Sequence, residues 1–396
     1  MEYPYKSKVL DRLGVRSWIN ARNWSTVIGG TWIDDRVLEA MNEVAETFVD
    51  MHELFARADA RVAELCGVED AHITTGTGAA LELAVAGCMA GDDYGKWMKL
   101  PDTGGMRNEV LMPRGHVIAY TPQWTAPGAK TVEYGQAGHL RSFRRELESL
   151  ISERTCCLAY TVSYNTVPRG RVPIEDVIDL GETHDIPVVV DAASDLPPVE
   201  NLHKYTDLGA DVVCFSGGKA IKAPNNTGFM VGCGRGTDIL KAVRGHTFPH
   251  SGWGRGHKIS KEQIVGLVVA LEIFVEEGDR LYVEQMSMAQ RLAKELRNVP
   301  GLEVEVIPND ETYHEHPTVP HVPRVLMRWN KDGMGISAEE LDAAVARDDP
   351  PIYLRNVHYY DYYTDKEWRL IDVFYLRPEE ERIVVDRIIE AFQGNT

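Results

Sequence analysis

The chain has 396 residues, and its 42 Lys and Arg against 60 Asp and Glu give a formal net charge of −18. Hydrophobic residues make up 44% and charged residues 26%, which is ordinary for a globular protein of two or three domains. The acidic balance excludes non-specific binding to nucleic acid, because such binding needs a basic surface.

The charge is unevenly distributed along the chain. Residues 216–261 carry eight basic side chains against one acid, Asp238, a net +7, so the rest of the chain carries −25. We therefore expect an anionic ligand near this basic stretch.

The sequence also predicts where the protein resides. The most apolar stretch, 264–275, is interrupted by Gly266 and Glu272 and is too short to cross a bilayer, and the N-terminus has no apolar signal core. The six cysteines include no Cys-x-x-Cys pair, which predicts small buried thiols in a reducing compartment. A cytoplasmic protein with no membrane partner is expected.

In chain order, the pattern predicts an N-terminal segment over 1–50 and a large α/β domain over 51–260. A connecting helix over 261–290 and a small C-terminal α+β domain over 291–396 complete the prediction. Helical patterns cover 35–48, 54–66, 79–90, 142–151, 174–183 and 199–206. Short apolar runs, predicted as strands, cover 110–112, 131–134, 157–162, 188–190, 212–215 and 229–231. Fully apolar strands between helices are typical of a parallel sheet that is covered on both faces.

Two of the predicted strands end in residues that carry chemistry. One strand ends in Asp191, and another ends in Ser216-Gly217-Gly218-Lys219. Ligands of open α/β sheets lie outside the carboxyl ends of the strands, so we expect Asp191 and Lys219 to meet one ligand. An acid facing a pyridine nitrogen and a lysine that bonds to an aldehyde form the arrangement that pyridoxal phosphate needs.

A third segment, Gly76-Thr77-Gly78, runs directly into the predicted helix 79–90. Small residues at a helix N-terminus expose backbone N–H groups that favour an anion, here a phosphate. Each feature has a simpler alternative: a tight turn for the glycines, a surface position for Lys219 and a helix cap for Asp191. Their combination at strand ends favours a cofactor site.

The sequence resembles the fold-type I pyridoxal-phosphate enzymes, in the branch of selenocysteine synthases and D-glucosaminate-6-phosphate ammonia-lyases. The resemblance rests on Ile19-Asn20-Ala21 with Gly29-Gly30, on 100–116, on Val190-Asp191-Ala192-Ala193, on Phe215 to Ala220, on 258–272 and on 349–355. It implies an aspartate aminotransferase-like large domain with a mainly parallel seven-stranded sheet, plus a small C-terminal α+β domain.

The resemblance also implies cofactor-binding roles. Lys219 would bond to pyridoxal 5'-phosphate and then exchange the Cα proton, and Asp191 would keep the pyridine nitrogen protonated. His116 and Ala193 would cover the two ring faces. Four residues would hold the phosphate: Gly76, Thr77, Gly78 and Ser216. Lys222 is a nearby competitor for the bond to the cofactor, and a polar loop position remains the alternative for His116.

Three arginines are candidates for binding the substrate. The resemblance implies that Arg355 pairs with the substrate carboxylate, although a structural ion pair is the alternative. Arg22 lies where the family usually has a glycine, so it becomes a candidate anion contact. Arg255 belongs to the basic stretch.

Two further clusters have no predicted catalytic role. Residues 359–363, Tyr-Tyr-Asp-Tyr-Tyr, are interpreted as a packed hairpin or a subunit interface. His314-Glu315-His316 is similar to a metal-ligand pair, but no third ligand is evident, so we interpret it as loop.

The function that the resemblance implies is a pyridoxal-phosphate-dependent lyase. It would act on an amino acid or amino sugar acid by Cα deprotonation and β-elimination, and release ammonia and a 2-oxo acid. The alternatives are a racemase, an aldolase, a transferase similar to selenocysteine synthase, or a cofactor-binding protein without catalysis. By analogy with the fold, we expect a homodimer or a higher homo-oligomer.

Overall fold

The computed structural model describes residues 3–136, 142–163, 166, 172–308, 322–356 and 366–394. The described residues form two compact units, one within 31–278 and one that combines 3–30 with 279–308, 322–356 and 366–394. This division differs from the one predicted from the sequence, because residues 3–30 group with the C-terminal part of the chain. The reason is a strand pair described below.

The helices and strands follow in chain order. The helices are α1 (Lys8–Arg12), α2 (Asp35–Ala45), α3 (Met51–Cys66), α4 (Thr77–Ala90), α5 (Tyr94–Lys99), α6 (Thr121–Thr125), α7 (Arg144–Leu150), α8 (Ile174–Thr183), α9 (Asn201–Asp207), α10 (Arg235–His246), α11 (Lys261–Leu296), α12 (Lys331–Met334), α13 (Ala338–Val345) and α14 (Pro378–Gln393). The strands are β1 (Ile19–Ala21), β2 (Asp70–Thr74), β3 (Glu109–Pro113), β4 (Lys130–Tyr134), β5 (Thr155–Thr161), β6 (Val188–Asp191), β7 (Val212–Ser216), β8 (Gly228–Gly232), β9 (Glu303–Ile307), β10 (Arg324–Trp329), β11 (Ile352–Leu354) and β12 (Glu367–Asp372). Two short 3-10 turns cover Thr26–Ile28 and Arg114–His116.

The larger unit contains a seven-stranded sheet with the order β2-β8-β7-β6-β5-β3-β4. Strand β8 runs antiparallel to both of its neighbours, and the other six strands are parallel to one another. The prediction of a mainly parallel seven-stranded sheet is confirmed. Strand β2 was not predicted as a strand, because Asp70, His72 and Thr74 break the fully apolar pattern of the other strands.

Helix α4 is central to the packing of the larger unit, and it begins at the carboxyl edge of the sheet. It is apolar on all sides, and ten of its residues are buried. It crosses α10 closely at Gly87, where an added Cβ would lie 2.9 Å from a methyl carbon of Ile239. A helix that is apolar all round must be buried, so α4 cannot shift without disturbing the core.

The smaller unit has the predicted α+β character. Its three-stranded antiparallel sheet has the order β12-β10-β9, and β1 pairs in parallel with β11. The pairing of Ile19 with Ile352 and of Ala21 with Leu354 ties the N-terminal residues to the C-terminal part of the chain. All six cysteines are free thiols and four of them are buried, as predicted. Among the described residues, no helix is long and apolar enough to cross a membrane.

Candidate active site

The carboxyl ends of the parallel strands bring most of the predicted site residues to one edge of the larger unit's sheet. Asp191 ends β6, and its register partners are Thr161 at the end of β5 and Cys214 in β7. Ser216 ends β7, and Lys219 follows three residues later. The sequence therefore placed Asp191 and Lys219 correctly at neighbouring strand ends.

Asp191 is a buried carboxylate with 5% exposure. One of its oxygens accepts a hydrogen bond from the backbone N–H of Ala193 at 3.1 Å. Burial raises the pKa of Asp191 above its ordinary value, while this N–H and the charge of Lys219 act in the opposite direction. A cation placed against Asp191 would therefore stabilise its ionised form.

Lys219 lies in a tight loop between β7 and β8. The N–H of Gly217 donates to Thr227 O at 2.9 Å, and the N–H of Ala223 donates to Gly217 O at 2.9 Å. An added Cβ on Gly218 would lie 2.4 Å from the carbonyl oxygen of Asn225, so the loop requires glycine there. Burial lowers the pKa of Lys219, and Asp191 partly offsets this effect.

Lys222 is directed to a different partner. Its Nζ lies 4.2 Å from the centre of the Trp32 ring, a cation–π distance, and its backbone has a φ of 60°. This contact engages the ammonium group of Lys222, and it favours Lys219 as the lysine that serves the site.

The glycine-rich turn between β2 and α4 is the segment for which the sequence predicts an anion cradle. Gly76 caps α4 with a φ of 85°, a conformation that favours glycine. The hydroxyl of Thr77, in the first turn, is buried and has no hydrogen-bond partner among the described residues. Exposed N–H groups, a helix dipole and a buried hydroxyl together suit a phosphate.

Gly228, which the sequence analysis missed, connects this cradle to β7. It pairs with Thr74 of β2 on one side and with Ser216 of β7 on the other. An added Cβ would lie 2.6 Å from the Gly76 carbonyl carbon and 2.7 Å from the Thr77 nitrogen. The only sequence signal was a glycine at the start of an apolar strand, and such a glycine can equally mark a bulge or a bend.

His116 is buried beside the end of β5. The backbone N–H of Thr161 donates to its Nδ1 at 3.1 Å, and its ring meets Tyr160 edge to face at 4.6 Å. Because Nδ1 accepts this bond, the neutral ring carries its proton on Nε2. Thr161 pairs with Asp191, so His116 is fixed to the strand next to β6.

Arg355 is 4% exposed, and its Nη1 lies 3.3 Å from Asp372 Oδ2. Arg324 also contacts this carboxylate, with 2.9 Å between its Nε and Oδ2. Arg22 donates to the hydroxyl of Tyr353, and its guanidinium lies 4.6 Å from the centre of that ring. All of these residues belong to the smaller unit.

Acidic side chains neutralise part of the basic stretch 216–261. Arg235 pairs with Asp211 and Asp185, Arg244 pairs with Asp70, and Lys261 pairs with Glu262. The expectation of an anionic ligand near this stretch therefore rests on its other basic residues, among them Lys219.

Arg255, the substrate-binding candidate from this stretch, is exposed and stacks over Phe248 at 5.0 Å. Two other clusters singled out from the sequence, 314–316 and 359–363, lie outside the described residues.

We expect the Gly228→Ala variant to bind pyridoxal phosphate poorly, because its methyl group would push the Gly76–Thr77 backbone out of position. Overpacking of this kind costs about 1–3 kcal/mol, and it should lower the melting temperature as well as the cofactor affinity in an absorbance titration. Gly256→Ala is the matched control, because nothing lies within 4 Å of the added methyl. Normal cofactor affinity in Gly228→Ala would contradict this account of the cradle.

Comparison with known proteins identifies the family. A model of the aminotransferase class-V family matches residues 125–242. The chain is 33% identical over 386 residues to a Streptomyces 5'-C-glycyluridine monooxygenase-decarboxylase, covering 96% of this chain and 90% of that protein. It is 31% identical over 351 residues to the D-glucosaminate-6-phosphate ammonia lyase of Salmonella typhimurium, covering 88% and 89%. A solved structure of a D-glucosaminate-6-phosphate ammonia-lyase superposes with a TM-score of 0.82 at 29% identity, covering 98% of this chain and 99% of that one.

The residues of the larger unit fit pyridoxal phosphate. The buried acid at the end of β6, the lysine with a lowered pKa after β7 and the buried Thr77 hydroxyl suit the pyridine nitrogen, the aldehyde and the phosphate of the cofactor. Together with the relatives that match almost the whole chain, these residues show that the chain is an enzyme of the fold-type I pyridoxal-phosphate family to which D-glucosaminate-6-phosphate ammonia lyase belongs.

Proposed function

We propose that this enzyme is an ammonia-lyase that acts on an amino acid or amino sugar acid with a β-hydroxyl group. The observation that carries this proposal is the match to D-glucosaminate-6-phosphate ammonia lyase over nearly the whole length of both chains. The reaction removes the Cα proton, expels the β-hydroxyl as water, and hydrolyses the resulting unsaturated amine to a 2-oxo acid and ammonia. No outside oxidant or reductant is needed.

Asp191 and Lys219 supply the proton chemistry. Bound pyridoxal phosphate serves as an electron sink for the Cα carbon of the substrate. Asp191 holds a proton on the pyridine nitrogen, since a buried carboxylate is stabilised by a cation beside it. Lys219 takes the Cα proton on Nζ, and its lowered pKa makes the neutral amine available at a lower pH than for an exposed lysine.

The supporting residues hold the ring and the phosphate. His116 and Ala193 lie on the segments after β3 and β6, and we propose that they cover opposite ring faces. Gly76, Thr77, Gly78 and Ser216 hold the phosphate through backbone N–H groups and two hydroxyls. By holding the phosphate, these four residues would orient the cofactor in the site.

Arg355 is proposed to bind the substrate carboxylate, with Arg22 as a second anion contact. In the smaller unit, the carboxylate of Asp372 contacts both Arg324 and Arg355 and so fixes the orientation of the Arg355 guanidinium. A planar guanidinium that is already oriented suits a carboxylate better than a flexible ammonium does. Arg22 follows Ala21 and Arg355 follows Leu354, so the two arginines end paired strands.

We also propose that the enzyme is a cytoplasmic homo-oligomer. Support comes from exposed apolar side chains in the larger unit, including the fully exposed Phe48 and the partly exposed Leu38 and Val49. Apolar groups on this surface suit burial against a second copy of the chain.

A second candidate function is an oxygen-dependent decarboxylation. The 33% identity to 5'-C-glycyluridine monooxygenase-decarboxylase over 96% of this chain favours it. Such an enzyme would consume O₂ and release CO₂, whereas a lyase would do neither.

The function is tested by incubating the purified holoenzyme with β-hydroxy amino acids, phosphorylated amino sugar acids and a glycyl nucleoside. We expect equal amounts of ammonia and 2-oxo acid from one of the first two classes, with no O₂ uptake. Uptake of O₂ with CO₂ release from the glycyl nucleoside would establish the second function instead. Exchange at Cα with inversion alone would show a racemase.

Two lysine variants serve as controls in the same assay. Lys219→Ala should lose activity by roughly 10²- to 10⁴-fold, the usual contribution of a general base, together with the absorbance of lysine-bound cofactor. Lys222→Ala should retain the absorbance, because the Lys222 ammonium lies against Trp32.

Asp191→Asn should bind the cofactor but lose roughly 10²- to 10⁴-fold in kcat, because an amide cannot hold a proton on the pyridine nitrogen. Asp191→Glu should retain part of the activity. In the apoprotein, Asp191→Asn removes a negative charge that raises the pKa of Lys219. The pH at which Lys219 becomes reactive toward an amine reagent should therefore fall. Unchanged kcat in Asp191→Asn would refute the assigned role.

Arg355→Gln should raise KM about 10- to 100-fold, which corresponds to the free energy of one charge-assisted hydrogen bond. The effect on kcat should be smaller. Arg355→Lys should recover part of the affinity, since it keeps the charge but not the planar donor pair. Arg328→Gln, at an arginine that pairs with Glu305, is the control. A lower melting temperature with normal KM would show that Arg355 is only structural.

A further inference from the structure

Gln123 lies over the first turn of α4, although nothing in its sequence context marks it. It belongs to α6, and its Cγ lies 3.3 Å from the position that a Cβ on Gly78 would occupy. Its Cδ lies 4.0 Å from the same point. The side chain of Gln123 therefore packs against the first turn of α4, next to the glycine-rich cradle.

The carboxamide of Gln123 indicates that a ligand binds at this position. Its Oε1 is buried and has no hydrogen-bond partner among the described residues, and the same holds for Thr77 Oγ1 in the adjacent turn. A buried polar atom left without a partner costs about 1–3 kcal/mol. Two such atoms, one in the first turn of α4 and one on a side chain packed against that turn, indicate that a polar group binds there.

Gln123 can act as a hydrogen-bond donor at this position. A half-turn of the amide exchanges Oε1 for Nε2, and the two atoms differ little in size. The exchange presents an N–H at the buried position of Oε1, on a side chain that packs against the first turn of α4. A neutral donor there adds to the backbone groups without repelling the dipole.

The backbone of Gln123 is held in place by its neighbours. Trp124 is 1% exposed and packs in the apolar cluster that contains the core residues of α4. Ahead of α6, the N–H of Ile118 donates to Thr121 Oγ1 at 2.9 Å. One short segment thus carries both His116 and Gln123 at fixed positions, which is the preorganisation that a binding group needs.

We propose that Gln123 donates a hydrogen bond to the phosphate of the cofactor and closes the cradle begun by Gly76, Thr77 and Gly78. This inference rests on the cofactor alone and holds whichever reaction the enzyme performs. The phosphate group, and not the ring, is what Gln123 recognises.

The test measures cofactor binding rather than turnover. The apoenzyme is titrated with pyridoxal 5'-phosphate and, separately, with pyridoxal, which lacks the phosphate, and binding is followed by absorbance and tryptophan fluorescence. Gln123→Leu should weaken binding of pyridoxal phosphate about 10- to 100-fold and leave the binding of pyridoxal unchanged. Gln123→Glu should bind pyridoxal phosphate more weakly still, because its charge repels the phosphate, and should recover as the pH is lowered.

The controls separate this role from a structural one. Thr125→Val lies on the same helix and removes only a hydroxyl bond to Pro122 O, so it should bind both compounds normally. The Gln123→Leu apoenzyme should melt at or above the wild-type temperature, because the substitution removes an unsatisfied buried amide. Equal weakening toward both compounds, or wild-type affinity for pyridoxal phosphate, would overturn the proposal. Failure of the wild-type apoenzyme to bind pyridoxal phosphate would instead refute the cofactor assignment.

Discussion

The arrangement at the carboxyl edge of the sheet depends on the backbone pairing of Gly228 with Thr74 on one side and with Ser216 on the other. Strands β2 and β7 are not neighbours, so the anion cradle after β2 and the lysine loop after β7 meet only because β8 lies between them. The first residue of β8 must be a glycine, since the Gly76–Thr77 backbone occupies the space that a Cβ would need. One antiparallel strand in an otherwise parallel sheet thus links the glycine-rich turn after β2 to the lysine loop after β7.

The electrostatics of the site follow from burial at that edge. Burial shifts the pKa of Asp191 and of Lys219 toward the neutral form, and each group opposes the shift of the other. The same balance suits proton transfer, because an amine that loses its proton more easily than an exposed lysine can act as a base. Elsewhere in 216–261, Arg235 and Arg244 pair with Asp211 and Asp70.

In the smaller unit, a buried carboxylate orients the positive charge of two arginines. Asp372 is fully buried, and its carboxylate orients Arg324 and Arg355. An arginine held by a shared acid loses little side-chain entropy when it binds a second anion, and its planar donors suit a carboxylate. Arg22, directly after the strand paired with β11, adds a further arginine to this unit. Differences between related enzymes at such arginines are expected to select the substrate, while Asp191 and Lys219 serve the shared chemistry.

The sequence by itself determined the mainly parallel sheet and the positions of Asp191 and Lys219 at strand ends, because apolar runs of strand length and the residues that end them are local signals. It also identified the Gly76–Gly78 turn, since small residues before an apolar helix are local too. Only the tertiary structure decided that β2 is a strand, that residues 3–30 group with the C-terminal part of the chain, and that Gly228 and Gln123 belong to the cradle. These features depend on contacts between segments far apart in sequence, such as Gly228 against Thr77. Ion pairing with distant acids likewise decided which residues of the basic stretch are neutralised, and no count of charges along the chain can give that result.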